Sequence, residues 1–182
     1  MLQFEVFPRS HAERGNEEGA RKCMLVPFKQ SEQAGLGNRD SGCCHGQTPH
    51  HVIPKGQFKS ESKDGASTVN SCKGYDENEA PCICTEGTSH SRGGTHQSIH
   101  DDLEPKIEAG ADSNGKLSYK QSRDMAVASI RKSAPSCSAA CLKSQLDKYH
   151  KKACKQSGES FKLRAASAKS GKTYYKSSDE GE

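Results

Sequence analysis

Apolar residues in this chain fall in short groups separated by long polar stretches, rather than in one continuous pattern. The group Cys23–Phe28 predicts a strand or extended segment. Residues 43–54 predict a second strand that enters a hairpin or turn, and residues 75–94 predict another extended segment that runs into a loop. The intervening residues 30–42 and 55–72 are polar and contain glycine, which predicts loops. The first half of the chain is therefore expected to consist of short strands joined by long loops.

Helical spacing of apolar residues appears in the second half. Thr95 stands where an N-cap would begin a helix over residues 96–103, and Pro105 is expected to end it. Two further helices are predicted to follow, separated near Pro135, with Ser138 as the cap of the second. The pattern predicts an α+β fold with additional C-terminal helices and long loops.

Composition divides the chain into three parts. Residues 1–22 are charged and polar and predict a linker or edge segment, residues 23–156 predict the folded domain, and the Ser-, Lys- and Gly-rich residues 157–182 predict a flexible basic tail. No apolar run approaches the roughly 18 residues of a membrane span. The first residues lack the basic and apolar regions of a signal peptide, so we expect synthesis in the cytoplasm, and any export must use a route that needs no cleaved signal.

The amino-acid composition indicates a thin core. Only 31% of the 182 residues are hydrophobic, 5% are aromatic and tryptophan is absent. Nine cysteines and eight histidines suggest that metal binding or disulfides add stability. The net charge of +4 permits binding to a polyanion but does not require it.

Two pairs of histidines are the strongest chemical signal. His50 and His51 are adjacent, so on a strand they point to opposite sides, and one can bind a metal while the other deprotonates water. His96 and His100 are four apart, so on a helix they share one face and can bind one ion together. Imidazole ligands favour Zn²⁺ or Ni²⁺ over Mg²⁺.

These segments resemble a known family. Pro49–Pro54 (Pro-His-His-Val-Ile-Pro) followed by Gly94–His100 (Gly-Thr-His-Gln-Ser-Ile-His) is similar to the HNH/endonuclease VII superfamily and its ββα-metal finger. The similarity is closest to nuclease toxin domains of bacterial polymorphic toxins, including type VI secretion effectors. Further similar blocks extend the resemblance over about residues 23–154: Cys23–Phe28, Cys43–Pro49, Ala80–Cys84 and Cys141–His150.

The resemblance implies a role for each histidine. His50 matches the metal ligand on the first strand and His51 the general base, while His96 and His100 match the helix positions. His100 is the firmer ligand, and His96 is either a ligand or a contact to phosphate. The family's asparagine that orients the base has no clear counterpart, so the accessory candidates are Asn78 and His90. The two histidine pairs are also farther apart than in a minimal finger, which implies an insertion.

The cysteines point to a structural role without fixing its kind. Because nine is an odd number, they cannot all pair within the chain, and without a signal peptide we weigh thiols and metal ligands above disulfides. Cys82 with Cys84, and Cys137 with Cys141, are candidates for a structural zinc site, although neither pair has the usual knuckle spacing. Helix spacing also suits packing of Cys137 and Cys141 against Cys23 or Cys43. The candidate structural cysteines are Cys23, Cys43, Cys44, Cys82, Cys84, Cys137 and Cys141.

Basic residues accompany both histidine pairs. Arg92 precedes the predicted helix and is a further accessory candidate. The others that could contact phosphates without reading sequence are Lys55, Lys59, Lys63, Lys143, Lys148, Lys151 and Lys152.

The sequence and its resemblance predict a metal-dependent endonuclease toxin that hydrolyses DNA with a divalent Zn, Ni or Mg ion. The resemblance also implies an acidic immunity protein, a delivery apparatus, and export from the bacterial cytoplasm into a target cell. A second hypothesis is a non-catalytic Cys/His zinc module that binds nucleic acid or protein. A third is a metal-independent hydrolase that uses a cysteine nucleophile.

Overall fold

A computed structural model describes residues 22–33, 43–44, 47–59, 69–87, 93–167 and 172–175. Of the expected N-terminal segment, residues 1–21 lie outside the described residues. The α+β prediction is confirmed. The elements, in chain order, are β1 (Val26–Pro27), α1 (Phe28–Gln33), β2 (Gln47–His51), β3 (Pro81–Glu86), α2 (Gly94–Gly110), β4 (Lys116–Ser118), α3 (Tyr119–Ser133), α4 (Ala139–Ala153) and β5 (Lys162–Arg164).

Strand β3 is the centre of a three-stranded antiparallel sheet with the order β1-β3-β2. The antiparallel pair β2–β3 is followed directly by α2, which is the ββα arrangement expected from the resemblance. The long segment 52–80 separates the two strands, and its described residues include short 3₁₀ turns at Lys55–Gln57 and Asn70–Cys72. The expected insertion is therefore present between β2 and β3.

Helix α2 is longer than predicted. It begins at Gly94, and the preceding Gly93 amide donates to the Gln97 side chain at 2.6 Å, so Thr95 is not the cap. The prediction that Pro105 ends this helix is wrong, because the helix continues to Gly110. A proline removes one backbone donor, and the burial of Ile107 beyond it helps to offset that loss.

The two following helices agree with prediction. Ser118 and Gln121 form a reciprocal capping box at the start of α3. The Ser138 hydroxyl accepts from the Cys141 amide at the start of α4, as predicted. In the described part of the chain no helix combines the length and apolar character needed to cross a membrane.

The expected flexible tail needs correction where the structure describes it. Residues 162–164 form β5, which pairs with β4 and places Leu163 opposite Leu117. Both leucines are buried, and Ala166 bridges to Thr173 farther along. The prediction of a flexible tail rested on the Ser- and Lys-rich composition and overlooked these apolar positions. Their burial attaches this segment to the domain.

A stack of aromatic rings fills the space between the insertion and α4. The ring of Phe58 stacks on Tyr75 with centroids 4.3 Å apart and on His150 at 4.9 Å. His150 is buried, and its Nδ1 lies 2.9 Å from the carbonyl oxygen of Leu146. Burial lowers the pKa of His150 to about 4, so this ring is neutral at neutral pH and serves as a core side chain.

Three disulfides connect distant segments: Cys23–Cys137, Cys43–Cys84 and Cys72–Cys154. The preference for thiols and metal ligands over disulfides is therefore corrected for six of the nine cysteines. Neither proposed zinc pair is intact, since Cys84 and Cys137 are each bonded elsewhere. Packing of Cys137 against Cys23 was anticipated, whereas Cys72 and Cys154 were not singled out at all. Thiols remain at Cys44, Cys82 and Cys141.

A buried cation joins α3, α4 and the segment before β5. The guanidinium of Arg123 donates to both Asp147 oxygens at 2.8 Å and to the Glu159 carboxylate at 2.7 and 3.1 Å. Only 6% of the Arg123 side chain is exposed. This bidentate arrangement satisfies a charge whose burial would otherwise be costly.

Peptide mapping without reduction should recover the three cross-links and three alkylatable thiols. Reduction should lower the free energy of unfolding by several kcal/mol, at about 2–5 kcal/mol for each disulfide. Urea titration with and without reductant measures this change. Stoichiometric zinc bound to cysteine thiolates, with no cross-linked peptides, would contradict the disulfide arrangement.

Arg123→Met should lower the free energy of unfolding by about 2–3 kcal/mol, because Asp147 and Glu159 lose their buried cation and keep only the partly exposed Lys151 as a cationic partner. Lys120→Met is the matched control, since Lys120 pairs with Asp124 at an exposed position of the same helix. The control should change stability by less than about 1 kcal/mol. Equal effects of the two variants in urea denaturation would show that Arg123 is not the central contact.

Candidate metal centre and active site

Strand β2 separates the two adjacent histidines. Opposite β3, His50 pairs with Ile83 and His51 with Cys82. Because successive side chains on a strand alternate, His50 faces the interior, where it is 1% exposed, and His51 lies on the other side, half-buried. The two histidines therefore occupy different environments, as the sequence predicted.

Three imidazoles converge where β2 meets α2. The ring of His50 lies 4.9 Å from that of His96 and 4.6 Å from that of His100, and the two helix rings are 5.1 Å apart, all between centroids. One ligand atom from each residue can be chosen so that all three lie within 4.8 Å of one another. Three imidazoles match the protein donor set of a catalytic zinc site, in which water or substrate takes the remaining position.

His50 gives the clearest indication that this cluster fits a metal ion. Both of its ring nitrogens are buried, and neither has a hydrogen-bond partner. A buried imidazole without partners is unfavourable, and a metal ion would satisfy one of these nitrogens. Burial, and then the neighbouring His100, hold the pKa of His50 well below its usual range, so its ring is neutral, as a ligand must be.

His51 is held by contacts from two other segments. Its Nε2 lies 3.1 Å from the backbone carbonyl oxygen of Glu77, and its ring stacks on Phe28 with centroids 4.6 Å apart. A carbonyl oxygen only accepts, so Nε2 carries the proton and Nδ1 is unprotonated in the neutral ring. Burial lowers the pKa of His51, and the nearby Lys55 and Lys59 act in the same direction.

The backbone contact to His51 comes from Glu77 rather than from Asn78. Asn78 is adjacent to the residue that provides it, but Asn78 donates from its backbone to Asp76 and accepts from the Lys29 amide. His90 and Arg92 lie outside the described residues. Every residue has a backbone carbonyl, so the contact made by Glu77 does not require a particular residue type. It therefore could not be found from sequence patterns.

The insertion brings cationic groups close to His51. The ammonium of Lys59 lies 2.5 Å from the Glu77 carboxylate, and that of Lys55 lies 3.4 Å from the same oxygen. The guanidinium of Arg164 donates to the backbone oxygens of Gly56 and Lys59, which ties this loop to β5. The loop that carries Lys55 and Lys59 is therefore attached both to β5 and to Glu77, whose backbone carbonyl contacts His51.

The remaining candidates do not belong to the histidine cluster. Cys82 is buried on β3, Cys44 and Cys141 are exposed, and none belongs to the three-residue cluster. On the last helix, Lys143 pairs with Asp124 and Lys151 with Asp147, so these two lysines stabilise the fold. Lys148 and Lys152 are exposed. Lys63 lies outside the described residues.

Comparison with known proteins agrees with the geometry. Residues 47–150 match the family described as GHH signature containing HNH/Endo VII superfamily nuclease toxin 2. The chain is 33% identical over 147 residues to the DNase toxin Tse7 of Pseudomonas aeruginosa.

That alignment covers 72% of this chain but only 35% of the relative, so the chain spans about a third of that protein. No solved structure matches the chain. The family match includes β2, β3, α2 and all four histidines of the site. The chain therefore belongs to the GHH-signature nuclease toxins of the HNH/Endo VII superfamily.

Proposed function

We propose that this chain is an endonuclease toxin that hydrolyses phosphodiester bonds of DNA with a divalent metal ion held by His50, His96 and His100. The observation that carries the proposal is the convergence of these imidazoles around His50, whose buried ring nitrogens lack protein partners. Family membership supports nuclease chemistry, and the name of the relative supports DNA as the substrate.

The donor set favours Zn²⁺ or Ni²⁺ over Mg²⁺, because imidazole nitrogen is a softer ligand than the oxygen donors that Mg²⁺ prefers. Such an ion, when bound, supplies positive charge that stabilises the phosphate oxygens and the leaving oxygen. The side chains hold that position with little reorganisation, since His50 and His100 are buried against the core.

We assign His51 as the general base. With its Nε2 proton donated to the Glu77 carbonyl, the Nδ1 lone pair can accept a proton from water. The oxygen of that water then bonds to phosphorus, and the bond between phosphorus and the leaving sugar oxygen breaks. A lowered pKa keeps His51 unprotonated near neutral pH, as this step requires.

Lys55 and Lys59 are the proposed contacts to DNA phosphates. Both belong to the loop beside His51, and together they place two positive charges around the single carboxylate of Glu77. Contacts of this kind hold the backbone without reading its sequence, so we expect cleavage with little sequence preference.

The proposed partners follow from the toxin family. A cell that makes a DNA-cleaving toxin needs a cognate immunity protein, and a surface that binds DNA phosphates favours an acidic one. Export from the bacterial cytoplasm by a delivery apparatus into a target cell completes the proposal.

His51→Ala should lower the rate of plasmid cleavage by about 10²- to 10⁴-fold, because the general base is lost. His100→Ala should lower cleavage by at least a comparable factor and weaken metal binding, since it removes a ligand. The assay follows supercoiled plasmid in chelator-treated protein after addition of Zn²⁺, Ni²⁺ or Mg²⁺. Ser98→Ala is the matched control, because Ser98 is an exposed residue of the same helix.

The outcomes separate the three hypotheses. Wild-type rates in both histidine variants would overturn the proposed site. Tight zinc binding without cleavage of any nucleic acid would favour a binding module, and cleavage that persists after complete chelation would favour a metal-independent hydrolase. Cleavage of RNA in preference to DNA would correct the substrate while leaving the site intact.

A further inference from the structure

Thr48 connects the three elements that build the histidine cluster. It lies on β2, two residues before His50. Its Oγ1 atom is 2.6 Å from the backbone carbonyl oxygen of Gly87 and 2.8 Å from Nδ1 of His96. One hydroxyl therefore contacts the residue that follows β3 and a candidate ligand on α2.

The proton positions in this arrangement follow from hydrogen-bond chemistry. A threonine hydroxyl has one proton, and a carbonyl oxygen can only accept. The Thr48 hydroxyl must therefore donate to Gly87, and Oγ1 must accept from Nδ1–H of His96. In the neutral imidazole this leaves Nε2 unprotonated, with its lone pair available to a metal ion.

We propose that Thr48 is a positioning residue that fixes His96 as the Nδ1-protonated tautomer and thereby makes Nε2 of His96 a metal ligand. The inference rests on the proposed metal-dependent function. It also decides between the two roles that the sequence left open for His96. A neutral His96 whose only N–H is donated to Thr48 has no N–H with which to bind a phosphate oxygen.

The acceptor of the Thr48 proton is held in place by close backbone packing. Gly87 has a φ of +99°, and a Cβ added to it would lie 2.4 Å from the carbonyl oxygen of Gly93. Gly94, the first residue of α2, has a φ of +75°, and a Cβ there would lie 2.5 Å from the Glu86 carbonyl oxygen. The end of β3 and the start of α2 therefore approach each other where no side chain fits.

A second threonine lies opposite Thr48 on β3. Thr85 is its cross-strand neighbour, and the Thr85 hydroxyl donates to the Thr48 carbonyl oxygen at 3.1 Å. Among the described residues, the Thr85 hydroxyl makes no corresponding contact with a histidine. The two threonines thus share a strand pair and differ in the contact that matters, which makes Thr85→Val a matched control for Thr48→Val.

The first test determines the tautomer of His96 directly in metal-free protein. Long-range proton–nitrogen NMR spectra of protein labelled with ¹⁵N-histidine should show Nδ1 protonated and Nε2 unprotonated in wild type. Thr48→Val should lose this fixed tautomer, whereas Thr48→Ser and Thr85→Val should retain it. A wild-type His96 protonated on Nε2 would overturn the inference without any variant.

The second test measures zinc affinity by competition with a chromogenic chelator. Thr48→Val should weaken binding by about 10- to 100-fold, the usual effect of losing a partner of a ligating histidine. Thr48→Ser, which restores the hydroxyl, should remain within about threefold of wild type, as should Thr85→Val. Circular dichroism melts of each variant establish that the comparison is made between folded proteins.

The results separate this inference from the proposed function. If wild type and Thr48→Val bind zinc equally well, Thr48 does not position a ligand, although the metal site stands. If wild type binds none of Zn²⁺, Ni²⁺ and Mg²⁺, the proposed function fails and the ligand role of His96 fails with it.

Discussion

Antiparallel pairing of β2 with β3, together with the close approach of α2 to the end of β3, is the constraint on which the candidate site depends. The register directs His50 inward and His51 to the opposite side of the strand. The glycines at the junction then allow α2 to begin close to β3, so that its first two turns face His50. A one-residue slip in this register would exchange the two histidines and leave neither role in place.

The rest of the domain stabilises this small unit. The Cys43–Cys84 disulfide lies beside the β2–β3 pair, and Cys72–Cys154 attaches the insertion to the end of α4. The Arg123 ion pairs and the Phe58 aromatic stack join the C-terminal helices to the segments around them. Cross-links, the ion pairs of Arg123 and stacked rings thus add to a buried aliphatic cluster that includes Leu117, Ile130 and Leu146.

Patterns with a fixed spacing were predictable, and contacts between distant segments were not. Alternation on a strand and four-residue spacing on a helix placed the four histidines correctly, and Ser138 identified the start of α4. The orienting carbonyl of Glu77 comes from an insertion whose path the sequence does not encode in a recognisable motif. The disulfides were not predicted for a related reason. Partners such as Cys23 and Cys137 are 114 residues apart, and spacing along the chain carries no information about their pairing.

The central claim is that His50, His96 and His100 together bind one divalent metal ion. The most direct test is a crystal structure of the protein loaded with Zn²⁺, with diffraction recorded on both sides of the zinc absorption edge. The account predicts one strong anomalous peak between the three imidazoles, about 2.0–2.1 Å from a nitrogen of each. Zinc bound elsewhere in the molecule, with the His50 nitrogens contacted only by water, would contradict it.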